Sequence, residues 1–190
     1  VEKGKDVSVF FKEKDNIRWQ TLMPVDTSYN ASEERHSLKF TFPKPKDAEN
    51  ALLLVNCGSA YWGSKMIKIM LQLKGDKVND WYGNLFNGGR EMQKLFRFLW
   101  DEELFAVKVN LREGENYFTR AYLPAGGPLM DEDRIVRLPL NNVTGDFVEF
   151  IINPPAGFWK IDQIGMIYDY EITVKNKIKE YDAVFAKDQD

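Results

Sequence analysis

At 190 residues, 44% hydrophobic and 14% aromatic, the chain is long enough for one packed domain and too apolar to stay disordered. Its net charge of −3 comes from interspersed acids and bases, so no basic stripe marks a nucleic-acid surface and no acidic block marks a solvating tail. The single cysteine, Cys57, excludes an internal disulfide and a cysteine-rich zinc cage, and no apolar run is long enough to make a membrane-spanning helix.

The chain opens on Val1 rather than Met, which reads as a processed or excised segment. Two sequons, at Asn30 and Asn142, matter only if the protein is secreted. Residues 7–11 are rich in β-formers and predict a first strand. Residues 16–37 are polar and irregular, and suit a loop. Leu38, Phe40 and Phe42 then alternate with Lys39 and Thr41 in a half-buried strand that Pro43 and Pro45 close. The apolar run 51–55 fits a central strand covered on both faces, with turn chemistry in Asn56-Cys57-Gly58-Ser59.

Residues 61–103 break the β rhythm and read as a helical insertion. Ser64 is a candidate cap for a helix that Gly75 stops, with Lys74 in the last turn. The same residues also alternate, with Ile67, Ile69, Leu71 and Leu73 on one side; the caps favour the helix. Residues 80–89 are rich in Gly and Asn and predict a loop carrying Trp81, Tyr82 and Phe86. Met92, Leu95, Phe96, Leu99 and Trp100 recur at helical spacing.

The β pattern returns at Leu104. Phe105, Val107, Val109 and Leu111 form an inward face, and after the Gly114 turn residues 117–123 pair back as a hairpin. Val136, Leu138 and Leu140 mark another strand. The stretch 147–170 holds two apolar runs around Pro154, Pro155 and Gly157, and predicts a hairpin at the heart of a sandwich. Residues 172–174 suit one more short strand, and 176–190 a charged tail in which Ile178, Tyr181, Val184 and Phe185 offer docking contacts. Nine or ten strands at short spacing, without βαβ alternation, predict a mainly β, antiparallel two-sheet sandwich over 1–175.

At GPLMDEDRIVRLPL and PPAGFWKID the chain resembles galactose-binding-domain-like jelly-roll modules of bacterial secreted or multidomain proteins. The matching positions are Gly127, Pro128, Gly145, Asp146, Val148, Phe158, Trp159, Ile161 and Asp162, and the resemblance covers about residues 104–170. It implies a jelly-roll sandwich in the extracellular space or cell envelope, with the cytoplasm left open. Members of this superfold bind sugars, lipids, nucleic acids or other proteins, and the only cofactor the resemblance implies is a structural calcium ion.

Candidate sites follow from residue chemistry. Asp162, among Ile161, Ile164 and Trp159, suits either a catalytic acid or an acceptor of backbone N–H groups that pins its neighbours. A glycan hydrolase would need a second carboxylate, with Glu149, Asp146 and Asp169 as the options. His36, the only histidine, reads as an exposed loop residue. Asp131 and Asp133 in Asp131-Glu132-Asp133 offer hard oxygens to calcium, or simply a solvated acidic turn. Trp62, Trp81 and Tyr82, with polar support from Asn84 and Arg90, present flat rings that either stack on a ligand or glue the insertion to the sandwich; Trp100 reads as glue. The expected function is a non-catalytic module binding carbohydrate or another protein domain at a loop-lined end. The alternatives are a glycan hydrolase using Asp162 and a purely structural domain of a larger cell-envelope protein.

Overall fold

The computed structural model describes residues 2, 4–21, 35–127, 130–168 and 170. Among them eight strands form two antiparallel sheets: β1 (Trp19–Gln20), β2 (Leu38–Pro43), β3 (Asn50–Ser59), β4 (Ala106–Glu113), β5 (Asn116–Pro124), β6 (Glu132–Pro139), β7 (Phe147–Ile152) and β8 (Trp159–Tyr168). One sheet runs β1-β8-β3-β6 and the other β2-β7-β4-β5. The pairs β1 with β8, β2 with β7, β3 with β6 and β4 with β5 nest like the two arms of one long hairpin whose tip is the β4–β5 turn. Rolling that ribbon on itself adds the β3–β8 and β4–β7 pairings and closes a jelly-roll sandwich.

Strand alternation builds the core. Val107, Val109 and Leu111 of β4 and Val148, Phe150 and Ile152 of β7 point inward and are buried. They share one apolar cluster with Leu53, Val55 and Cys57 of β3 and Trp159 and Ile161 of β8. Phe40 stacks on Phe150 at 5.1 Å between centroids, adding aromatic contact across β2 and β7.

Several expectations are corrected. The runs at 147–152 and 159–168 do not pair as a hairpin; they belong to opposite sheets, and the Pro154-Pro155 link carries the chain across the sandwich. Residues 7–11 are not a strand, because Asp6 Oδ1 accepts the Ser8 N–H at 2.9 Å and sets a short 3-10 turn over Ser8–Phe10. The segment 56–59 is not a turn. It stays in β3 to Ser59, held by the Ser59–Trp159 pairing past a bulge at Asn56 and Cys57. Gly58 is there for packing, since a Cβ would lie 2.6 Å from Asp131 Oδ1 and 2.7 Å from Lys160 Cε. Phe105 precedes β4 and is 44% exposed rather than core. Residues 22–34 of the expected loop, the strand at 172–174 and the tail at 176–190 lie outside the described residues, as do Asn30, Pro128 and Asp169.

Between β3 and β4, and so between the two sheets, lies the helical insertion: α1 (Tyr61–Lys74), α2 (Val78–Phe86) and α3 (Arg90–Asp101). The first helix starts three residues before Ser64, with Ala60 as its extended N-cap, and stops at Gly75, whose φ of 52° favours glycine. The expected loop over 80–89 is instead mostly α2. Trp81, Tyr82, Leu85 and Phe86 make an i, i+1, i+4, i+5 stripe that outweighs the cost of Gly83, about 1 kcal/mol. The glycines that do punctuate are Gly88, at φ 67°, and Gly89, the N-cap of α3.

Candidate functional site on the helical insertion

Two adjacent core residues hold both ends of the insertion. At the entrance, Ala60 N–H donates to the Phe158 carbonyl at 2.8 Å, and Gly63 lies so close to the Phe158 ring that a Cβ would come within 3.0 Å. At the exit, α3 ends in a Schellman turn. Glu103 adopts φ 54°, its N–H donates to Trp100 O at 3.2 Å, and Leu104 N–H donates to Leu99 O at 3.1 Å. Trp159 Nε1–H, fully buried, donates to the Glu103 carbonyl at 3.1 Å. The Glu103 carboxylate accepts the Lys108 backbone N–H at 2.7 Å and sits 3.3 Å from both Arg35 Nη1 and Lys108 Nζ. A buried carboxylate thus has its donors in place.

Away from these anchors the helices are open. No residue of α2 or α3 is buried, although both carry apolar stripes. On the side toward the sandwich, Met66, Leu71, Trp81, Leu95, Phe98, Leu99, Leu104, Phe105 and Phe158 line an apolar cavity of about 170 Å³. Its edge reaches solvent at Phe98 and Phe105, which are 46% and 44% exposed. On the outer side, Tyr82, Leu85, Phe86, Met92, Leu95 and Phe96 form a groove of about 310 Å³ between α2 and α3. Phe86 is 87% exposed and Phe96 60%, far more than packing requires of a phenylalanine. Leu95 borders both hollows. Residues 61–101 also carry seven Lys or Arg against four Asp or Glu, a net +3 in a chain whose total is −3.

The structure brings some of the sequence-predicted residues together and separates others. Trp81 and Tyr82 are in ring contact at 5.2 Å but diverge, Trp81 half-buried in the cavity and Tyr82 in the groove. Lys74 Nζ lies 5.3 Å from the Trp81 ring centroid, a cation–π contact. Trp62 packs against the sandwich core. Asn84 and Arg90 are exposed and line neither hollow. Trp100 packs against Tyr122 of β5 with ring centroids 4.5 Å apart and planes tilted by 35°, which glues α3 to the sandwich, yet it remains 50% exposed. Phe86, Met92, Leu95 and Phe96 were not picked out as site residues. Their signal is in the sequence, because Leu85 and Phe86 follow Trp81 and Tyr82 by one helical turn.

Most of the polar candidates are occupied by the protein's own partners, while Asp162 keeps one buried carboxylate oxygen, Oδ1, unpaired among the described residues. Asp131 pairs with Arg18 and, at 2.6 Å, with Lys160. Burial pushes its carboxyl pKa up, but those two cations outweigh it and hold the group below its ordinary range. Asp133 accepts Asn56 Nδ2–H at 2.6 Å and Lys14 Nζ–H at 3.0 Å, which also lowers its pKa. Among the described residues no group of three or more His, Cys, Asp or Glu side chains is placed to hold a metal. Asp162 is 2% exposed and accepts the Asn16 backbone N–H at 3.2 Å on Oδ2. Glu149, its proposed catalytic partner, is on β7 of the other sheet. There Lys39, Arg112 and the Tyr117 hydroxyl surround it. Burial raises the Glu149 pKa, but these partners overcome it and leave the group lowered, while burial and Glu149 push Tyr117 up to about 12. His36 is half-buried rather than exposed: it pairs with Glu2 and packs edge-on against Trp19 at 5.2 Å. No family model matches the chain, and no curated protein is significantly similar to it.

Proposed function

We propose that the chain is a non-catalytic binding module of the galactose-binding-like kind that docks a protein partner on its helical insertion. The observation that carries this reading is the groove between α2 and α3, where Phe86 and Phe96 stand 87% and 60% exposed over an apolar floor. Neither ring is needed for the core, and exposed aromatics at the mouth of an apolar hollow are the usual anchors of a protein interface. A sugar site would set polar hydrogen-bonding groups around its stacking rings. Here the polar candidates Asn84 and Arg90 stand outside the hollow, which favours protein over carbohydrate. The glycan-hydrolase alternative has less support, because Asp162 and Glu149 stand on strands of different sheets.

The test pairs a Phe86→Ser, Phe96→Ser variant with the unaltered chain. Both rings are replaced at exposed positions, so the melting temperature should hold to within a few degrees. A photo-crosslinker placed at Tyr82 should capture one partner from the native source, and the double variant should lose it. Retention of that partner by the folded variant, or specific binding of a glycan that depends on Tyr82, would overturn the reading.

A further inference from the structure

We propose that the chain carries a second binding site, at the β4–β5 turn, which takes a neutral saccharide. It is separate from the docking groove. The insertion ends at Glu103, and β4 then runs from Ala106 to Glu113 before Gly114 turns it, about 25 Å at strand rise.

A pocket of about 420 Å³ opens there between the β4–β5 turn and the loop before β7, with Thr41, Arg112, Glu115, Thr144, Asp146 and Phe147 among its walls. The register brings the strand residues together. Glu149 lies opposite Thr41, Phe147 lies opposite Pro43, and the Leu111–Phe150 pair sets Arg112 beside Glu149. Leu111, Val148 and Phe150 are buried, so by alternation Arg112, Phe147 and Glu149 face away from the core.

The polar groups fall into two sets. Glu149 also lines the pocket and is the fixed point: Lys39 Nζ lies 2.6 Å away, Arg112 Nη1 lies 3.4 Å away, and the Tyr117 hydroxyl donates to it. Arg112 Nε–H donates to the Gly114 carbonyl at 3.0 Å, so the guanidinium is held at two points while its Nη2 donates to nothing among the described residues. The second set is open. The side chains of Thr41, Glu115, Thr144 and Asp146 are exposed and make no hydrogen bond or ion pair among the described residues. Beside them the Phe147 ring, 57% exposed, supplies a flat apolar wall.

This arrangement selects by charge and by shape. The carboxylates of Glu115 and Asp146 repel an anion, and the fixed guanidinium of Arg112 repels a cation. A neutral molecule whose hydroxyls both donate and accept satisfies the carboxylates, the threonine hydroxyls and the Arg112 Nη2–H groups at once. A pyranose ring adds a C–H face for Phe147 to stack on. The pocket therefore joins a stacking ring to surrounding polar groups, the combination that the groove between α2 and α3 lacks. Its volume falls in the range of about 300–1,000 Å³ common to small-molecule sites.

The experiment applies saturation-transfer NMR to the full chain with glucose, galactose, mannose, N-acetylglucosamine and their β-linked disaccharides, each beside a sulfated or uronic acid counterpart. Calorimetry then titrates the neutral sugar that responds most. At least one neutral sugar should bind with a dissociation constant of about 1 mM or tighter, and its anionic counterpart at least about tenfold more weakly. Phe147→Ala and Asp146→Ala each alter an exposed residue, so their melting curves should match the parent, and each should weaken the sugar at least about fivefold. Should Phe147→Ala unsettle the fold, Asp146→Ala alone decides. The Phe86→Ser, Phe96→Ser variant should bind the sugar as the parent does. No signal from any neutral sugar overturns the proposal, as does an affinity that Asp146→Ala leaves unchanged. Preference for the anionic forms also overturns it. Loss of the sugar in the Phe86→Ser, Phe96→Ser variant moves it to the insertion and overturns this second site. Binding of the peptide acetyl-Gly-Lys-Gly-amide that depends on Asp146, without sugar binding, replaces the saccharide with a basic side chain.

Discussion

Trp159 is the residue whose replacement tests the fold and the anchoring of the insertion together. Its ring is fully buried in the core, and its Nε1–H donates to the Glu103 carbonyl at the end of α3. Trp159→Ala removes the ring and leaves a cavity, which costs about 3–5 kcal/mol for a large core aromatic. Trp159→Phe keeps most of the apolar contact but orphans a buried carbonyl, a cost of about 1–3 kcal/mol. For a chain of this size, 1 kcal/mol shifts the melting temperature by about 2–4 °C. The alanine variant should therefore melt about 6–20 °C lower, and the phenylalanine variant about 2–12 °C lower. Circular dichroism melts read both shifts. Phe96→Ala serves as the control, since a ring that is 60% exposed should change stability by no more than about 0.5 kcal/mol. An unchanged melt for Trp159→Ala would refute its place in the core. A phenylalanine variant as stable as the parent would show that the bond to Glu103 does not hold the helix end.

Gly126→Ala should destabilise the fold by about 1–3 kcal/mol or more, because the added Cβ meets the Cys57 backbone carbonyl, which cannot yield without breaking β3. Gly83→Ala, in open space within α2, should instead raise stability by about 0.5–1 kcal/mol; thermal melts that rank the two the other way would refute the packing described at Gly126. Burial pushes the Cys57 thiol up to about 11 from 9.0, so a thiol reagent at pH 8 should leave the native protein unmodified and label it on unfolding. Since the folded pKa is the higher one, the stability linked to this thiol is full below about pH 9 and lost as pH rises toward 11; Cys57→Ala should flatten that decline in a pH series of melts. Asp131→Asn should cost about 1–2 kcal/mol at neutral pH by leaving Arg18 and Lys160 without their carboxylate. The depressed Asp131 pKa makes its contribution present above the ordinary value of 3.8 and lost as pH falls through the folded value, so the gap between parent and variant should close in acid.

Strands with sustained alternation were legible because alternation is a local property, whereas the strand expected at 7–11 is a 3-10 turn and β1 lies within the loop expected over 16–37. Val107, Val109 and Leu111, or Val148, Phe150 and Ile152, reveal their buried face whatever they pair with. Pairing was legible only where the turn decided it. Gly114, at φ 63°, closes β4 onto β5, and that hairpin is present. The Pro154-Pro155 link is equally turn-like, but nothing local distinguishes a return to the same sheet from a crossing to the other one. The helices show the same limit from the other side. Gly83 and Asn84 read as loop because their individual propensities are poor, while the apolar stripe around them has helical spacing. Trp81 and Tyr82 sit on α2 rather than on the expected loop. A loop would show both to solvent, whereas a helix divides them between the cavity and the groove.

The insertion is tied to the sandwich core at its two ends. Both of its ends are fixed by the Phe158-Trp159 dipeptide: the Phe158 carbonyl and ring at the entrance, the Trp159 indole at the exit. Between Ala60 and Glu103 the sandwich is also met by Trp62, Met66 and Leu99, which pack on the core, and by Trp100, which contacts Tyr122. Beyond these contacts the chain carries α2 and α3, with apolar stripes that bury no residue. Exposed phenylalanine carries a solubility penalty that the core does not offset, because the core does not use it. A sandwich with fixed anchor points and a separate apolar surface on the insertion divides the chain into two groups of residues. Those buried between the sheets set the stability, and the exposed rings of Phe86 and Phe96 on the groove contribute little to it.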